Sequence, residues 1–226
     1  MIDVTRHRPL FDPAMWDDPI VIIGCGGLGS HLAWSIARLG VREIVLVDGD
    51  VLESHNLANQ AYASSDVGKL KVEALAYALR RSLDVDVSIV PEFIREARML
   101  APVVFMCVDT MRDRKLIMDT CLKGNADVRY VFDGRMDASH GVVYSIDPNN
   151  PAHIALWEHY WFPDADAQND GDGCGGKISV VYTAAIVAGM MAHEFVRWNA
   201  SLNGGLPPAQ RRDISLAEDR MQSDRW

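Results

Sequence analysis

The sequence predicts a doubly wound α/β fold, a mostly parallel sheet with helices on both faces. Three observations carry this. Residues 19–23, P-I-V-I-I, form a continuous apolar run that ends at Gly24, the pattern of a strand covered on both sides. Leu28, Leu32, Ile36 and Leu39 then recur at helical spacing up to Gly40, a C-cap position. A second apolar strand at 43–48 completes a strand, glycine loop, helix, strand unit of about thirty residues, whose crossover is right-handed with parallel strands.

The alternation continues along the chain. A helix is expected from Lys69 to Leu83, strands at 87–90 and 103–108, a helix from Arg112 to Leu122 and a strand at 130–133. Residues 141–147 read as a further strand, antiparallel at the sheet edge. Residues 148–176, rich in Pro, Asp, Asn and Gly, are expected as one long loop carrying Cys174. The apolar stretch 178–192 falls short of the ~20 residues that span a bilayer and is closed by His193, Glu194 and Arg197, so it reads as a buried helix. Residues 199–226 are expected as a polar, mobile C-terminal tail behind one domain, residues 1–198.

Composition narrows the function. The 226 residues are 49% hydrophobic and 23% charged, an ordinary globular balance for a single domain. With 22 Lys and Arg against 31 Asp and Glu, the formal charge of −9 repels phosphate backbones and anionic membranes, so neither nucleic acid nor membrane is an expected partner. The four cysteines, at 25, 107, 121 and 174, form no C-x-x-C pair. No structural zinc is expected, and reduced thiols point to a cytoplasmic setting. Residues 1–19 lack the apolar core of a signal peptide.

The first chemical motif is Gly24-Cys-Gly-Gly-Leu-Gly29, a G-x-G-x-x-G loop where glycines permit a tight turn and bring a nucleotide to a helix N-terminus, in the Rossmann-like manner. Asp48, 19 residues past Gly29 at a strand end, is placed to accept both ribose hydroxyls. To this point a nicotinamide or flavin dehydrogenase explains the chain equally well. The next residues separate the readings: Asp48-Gly-Asp50, then H-N-L-A-N-Q at 55–60, G-K-L-K at 68–71 and a second strand-end acid, Asp109. Amides, a lysine and a second aspartate at the carboxyl edge suit a triphosphate and its magnesium, which a dinucleotide does not need.

This arrangement resembles the ThiF/MoeB/HesA family, bacterial relatives of ubiquitin-activating enzymes, densely over Ile20 to Asp109 and loosely over Tyr130 to Trp198. The resemblance implies a short adenylation domain without the zinc module. Its implied function is ATP- and Mg²⁺-dependent adenylation of the C-terminal carboxylate of a small ubiquitin-like or sulfur-carrier protein ending in glycine, by a homodimer. Carried onto this chain, it puts Gly24, Gly26, Gly27 and Gly29 at the nucleotide and Asp48 on the ribose, with Asn56 and Lys71 on the phosphates and Asp109 on Mg²⁺. Attack of a carboxylate on the α-phosphate brings two anions together, so positioning and charge neutralisation supply most of the catalysis. Lys71 and Asp109 are the catalytic candidates on this reading. Two plainer readings stay open: Lys71 as a solvated helix lysine and Asp109 as a helix-entry carboxylate.

The departures from the family pattern matter as much. Asn59 stands where the family's N-L-x-R-Q segment has its arginine, a neutral donor in place of a charged one beside the phosphates. The family's N-terminal stretch, from which a partner subunit lends another arginine, is not recognisable in this chain, where Arg6 and Arg8 are the basic candidates. Arg135 either restores a guanidinium at the sheet edge or forms a structural salt bridge. His153 and His159 read as surface histidines, and the acidic run at 164–172 has Gly175 where a calcium loop needs glutamate. Cys174 lies twenty residues before Glu194, the spacing of the family's acceptor cysteine. Its flanking glycines expose the sulfur and Lys177 favours the thiolate, while Asp172 opposes it, so Cys174 is the candidate acceptor of the activated carrier. Cys25, Cys107 and Cys121 read as small buried residues. Two rival functions stand beside adenylation: a non-catalytic nucleotide-dependent binding module and a dinucleotide-binding oxidoreductase.

Overall fold

The computed structural model describes residues 2–83, 85–95, 100–164 and 179–224. Strands β1 (Ile20–Ile23), β2 (Glu43–Val47), β3 (Asp86–Val90), β4 (Val103–Met106) and β5 (Tyr130–Met136) run parallel. Strands β6 (His140–Ile146), β7 (Arg211–Ser215) and β8 (Arg220–Asp224) extend the same sheet antiparallel, in the order β3-β2-β1-β4-β5-β6-β7-β8. All residues of β1 and β4 are buried, which is why both are unbroken apolar runs. Ile23 is in register with Val47 on one side and Met106 on the other, so β1, β2 and β4 release their chains at one edge.

The helices are α1 (Gly27–Leu39), α2 (Lys71–Leu83), α3 (Met111–Ile117), α4 (Pro151–His159) and α5 (Val181–Ser201). On one face Leu32 and Ile36 of α1, Leu75 and Leu79 of α2, and Val187, Met191 and Phe195 of α5 share a core with β1 and β4. On the other, Ile117 of α3 and Ile154 and Trp157 of α4 pack against Val104, Met106 and Tyr144. Burying each of the larger side chains contributes about 1.5–3 kcal/mol. Among the described residues no helix is long and apolar enough to cross a membrane.

Three expectations are corrected. The strand expected at the edge, β6, is interior, because β7 and β8 continue the sheet beyond it. The span 148–176 contains α4, started by Asn150, whose side chain accepts from the Ala152 N–H, with Pro151 in the first turn. Residues 199–224 are not a free tail: α5 runs to Ser201, and the strands that follow are tied back to it. Glu194 of α5, fully buried, accepts from Arg212 Nε at 2.5 Å and the Ala209 N–H at 2.7 Å, and Ile214 enters the core. Residues 165–178, including Cys174, lie outside the described residues.

One buried charge cluster locks the second face. Asp133 of β5 accepts from Arg114 Nη1 of α3, from Arg135 Nε at 2.9 Å and from Trp157 Nε1 of α4 at 2.8 Å. Arg114 also donates to the Val108 carbonyl beyond β4. Burial by itself pushes the Asp133 carboxyl up, but the two guanidiniums and the hydrogen bonds reverse this and hold it below the usual carboxylate range. An acid depressed in the folded state adds stability above its unfolded value of about 4, and that stability is lost as pH falls through the lower folded value. Asp133→Asn should therefore cost about 3–5 kcal/mol at pH 7, read by urea unfolding, because two buried guanidiniums then face a neutral amide. It should also flatten the loss of stability below about pH 4. A wild-type urea midpoint in this variant would show that the cluster does not hold α3 and α4.

Candidate active site

The glycine loop is packed backbone on backbone. Gly24 leaves β1 with φ +90°, and its N–H donates to the Val47 carbonyl at 2.8 Å. A Cβ on Gly29 would lie 1.8 Å from the Gly24 carbonyl oxygen, and one on Gly24 would lie 2.7 Å from that of Cys107. Only glycine fits both places. Gly26 is the N-cap of α1 and supplies no capping side chain, so among the described residues no N-cap side chain competes with an anion for the first-turn N–H groups. Gly27 starts the helix, and a Cβ there would lie 3.8 Å from Asn59 Nδ2.

Asp48 binds this loop to the next strand. Its Oδ2 accepts from the Cys25 N–H at 2.6 Å and its Oδ1 from the Asp50 N–H at 2.8 Å. Burial pushes its carboxyl up, with the two backbone donors pulling it back. Each oxygen retains a lone pair that a hydroxyl can address. Tyr62 donates its hydroxyl to the Cys25 carbonyl at 2.7 Å, closing the loop from the other side.

Lys71, the first residue of α2, is not a solvated helix lysine. Its side chain is 9% exposed, and its Nζ lies 2.7 Å from Asp50 Oδ2. Asn56 accepts from the Glu53 N–H through Oδ1 at 3.0 Å, capping its own turn. Asn59 donates its amide to Ser179 Oγ at 2.7 Å, and its carbonyl accepts from His31 Nε2 at 3.3 Å. Burial pulls the pKa of His31 down, so this imidazole is a neutral donor at pH 7. Asp109 stands exposed past β4. The helix-entry role belongs elsewhere: Thr110 caps α3 through the Asp113 N–H, and Asp164 accepts from the Met111 and Arg112 N–H groups at 2.7 and 3.0 Å.

The structure thus brings Gly24 to Gly29, Asp48, Asn59, Lys71 and Asp109 to one edge of the sheet, and leaves other residues away from it. Arg135 is held in the Asp133 cluster, donates to the Tyr160 carbonyl at 2.9 Å and stacks 4.5 Å from the Tyr144 ring, so it is structural. Arg8 pairs with Asp12 at 2.9 Å, and the neighbouring Val4 and Pro13 abut Gly40 at the far end of α1 from the glycine loop. His153 is not a surface histidine; it accepts from the Asp147 N–H at 2.9 Å through Nδ1 and meets Gln210 at 2.7 Å. His159 is exposed. Cys25, Cys107 and Cys121 are buried; burial pushes the Cys25 thiol up and that of Cys107 to about 12, so neither is a nucleophile. Cys174, Asp172 and Lys177 lie outside the described residues. Sequence reasoning missed Tyr62 and the Asp50–Lys71 pair. The second acid of D-G-D was a signal for the pair, whereas nothing local marks Tyr62.

The chain is 32% identical over 161 residues to the SAMP-activating enzyme E1 of Haloferax volcanii, covering 65% of this chain and 54% of that protein. It is 33% identical over 132 residues to the mouse adenylyltransferase and sulfurtransferase MOCS3, covering 54% of this chain and 29% of that protein. The chain spans about half or less of these curated relatives. Its fold is similar to that of E. coli MccB solved with ATP, with a TM-score of 0.69 and 19% identity over 96% of this chain and 66% of that one. It is similar as well to PaaA, at 0.73 and 19% over 98% and 68%. The profile of the ThiF family matches residues 17–218, a span that starts ahead of β1, ends past β7 and takes in every strand that shapes this edge; the chain belongs to the ThiF family.

Proposed function

We propose that this chain adenylates the C-terminal carboxylate of a small ubiquitin-like or sulfur-carrier protein, using ATP and Mg²⁺. The observation that carries the reading is the open N-terminus of α1 beside Asp48, with the Asp50–Lys71 pair and Asp109 at the same edge. The names of the relatives, an E1-type activating enzyme and an adenylyltransferase, support it. ATP supplies the α-phosphorus and the pyrophosphate leaving group. On this reading the first-turn N–H groups of α1 hold the phosphates, Asp48 holds the ribose hydroxyls and Lys71 turns from Asp50 toward the developing charge. The donor set at Asp109 fits Mg²⁺, which binds through one or two carboxylates together with substrate phosphates rather than in an all-protein cage. Among the described residues no group of three or more His, Cys, Asp and Glu forms such a cage. The homodimer implied by the family has an apolar surface available, since Val181, Tyr182 and Ile186 are exposed at the start of α5.

Asp109→Ala should abolish carrier-dependent pyrophosphate exchange while leaving part of the nucleotide affinity in place. Full exchange in this variant removes the magnesium assignment. A binding module without catalysis is the second reading, favoured by the neutral Asn59 already engaged with Ser179; wild-type protein that binds ATP but never exchanges pyrophosphate would select it. Asn59→Arg should tighten ATP binding by about 1 kcal/mol, a few-fold by calorimetry, if the outer phosphates lie beside it.

Cys174 is proposed as the acceptor after adenylation. Its thiolate would attack the acyl carbon, forming a thioester and releasing AMP. Cys25, Cys107 and Cys121 are buried, which argues against each of them as the acceptor. Intact mass spectrometry should find a thiol-labile carrier adduct on wild type and none on Cys174→Ala, which should still exchange pyrophosphate. Robust adenylation with no adduct on wild type would end the pathway at the acyl-adenylate.

A further inference from the structure

We infer that Phe93 is the platform on which the nucleotide's base stacks, and that it makes the site favour purines. The inference rests on the proposed nucleotide reading. Three points at the sheet edge define a line. Phosphates belong at the glycine loop after β1, and the ribose belongs at Asp48 after β2. The base leaves the ribose on the side away from the phosphates, and the next strand outward in the sheet is β3. The segment that leaves β3 is tied directly to the ribose position, because the Asp48 N–H donates to the Val90 carbonyl at 3.2 Å. Phe93 lies three residues further on.

Its surroundings single it out. A Cβ on Gly49 would lie 2.9 Å from the Phe93 ring, so the ring rests on the bare backbone between Asp48 and Asp50. Yet Phe93 is 49% exposed, a large apolar side chain left facing solvent at the edge of a polar site. The neighbouring Arg95 guanidinium sits 5.9 Å from the ring centroid, at the outer limit of a cation–π contact, where a base can displace it. An aromatic face accepts any base by stacking, and the larger purine covers more of it.

Calorimetry with ATP, CTP and inorganic tripolyphosphate, each with magnesium, tests this on wild type, Phe93→Ala and Phe93→Tyr. Phe93→Ala should weaken ATP roughly ten-fold and reduce the preference for ATP over CTP, with tripolyphosphate unchanged. Phe93→Tyr should keep wild-type ATP affinity, since it keeps the ring. If wild type binds ATP but Phe93→Ala matches it in affinity and in ATP-to-CTP ratio, the base lies elsewhere and the inference falls alone. If Phe93→Ala loses tripolyphosphate as well, the residue supports the loop instead of the base, and the inference also falls. Wild type that binds no ATP, or binds it no better than tripolyphosphate, overturns the nucleotide reading itself.

Discussion

The fold depends on how closely α1 approaches the end of β1. With a Cβ of Gly29 needing to sit 1.8 Å from the Gly24 carbonyl oxygen, any other residue would force the helix away from the strand. This close backbone packing sets where α1 lies on the sheet, and α5 then stacks beside α1 through Val187 and Met191. Two further glycines complete the fit from the sheet side. Gly134 and Gly141 leave room for Met191 and Val187, which would lie 2.4 and 2.2 Å from a Cβ at those positions. The glycine N-cap of α1, which carries no capping side chain, belongs to the same close-packed turn.

The charge balance of the edge follows from what surrounds it. Asp48 is buried among backbone donors and Asp50 is paired with the buried Lys71, while Asp109 stands exposed on the neighbouring strand end. Three carboxylates beside one ammonium repel a bare polyphosphate, particularly where burial lowers the local dielectric. On the proposed reading this is the reason the nucleotide enters with a divalent cation, and the reason a missing arginine at Asn59 weighs on affinity. Beneath the edge, the Asp133 cluster carries two guanidiniums on one carboxylate and holds α3 in place through the Val108 carbonyl, so the chain around Asp109 is anchored from below.

Legibility differed sharply along the chain. The parallel half was readable because β1 and β4 at its centre are apolar runs buried on both faces, and because the glycine loop and strand-end acids are local signals with fixed spacing. The antiparallel half was not. β7 and β8 read R-R-D-I-S and R-M-Q-S-D, and such polar segments become strands only because β6 offers a partner edge and Glu194 captures Arg212. The helix α4 was hidden by the composition of its surroundings, although the Asn150–Pro151 start was present in the sequence.

For the site, the sequence alone determined the glycine loop, the position of Asp48 at a strand end and the order of the polar residues after it, because backbone sterics and strand periodicity act over a few residues. Tertiary structure decided what each polar side chain does. Lys71 could be solvated or buried until α2 packed it against Asp50, and Arg135 could face the edge or the core until Asp133 and Tyr144 claimed it. Tyr62 gained its place only when its hydroxyl met the Cys25 carbonyl, 37 positions away in the chain. Partners so distant are chosen by packing and by the cost of leaving a buried polar group unpaired, and neither is written in local spacing.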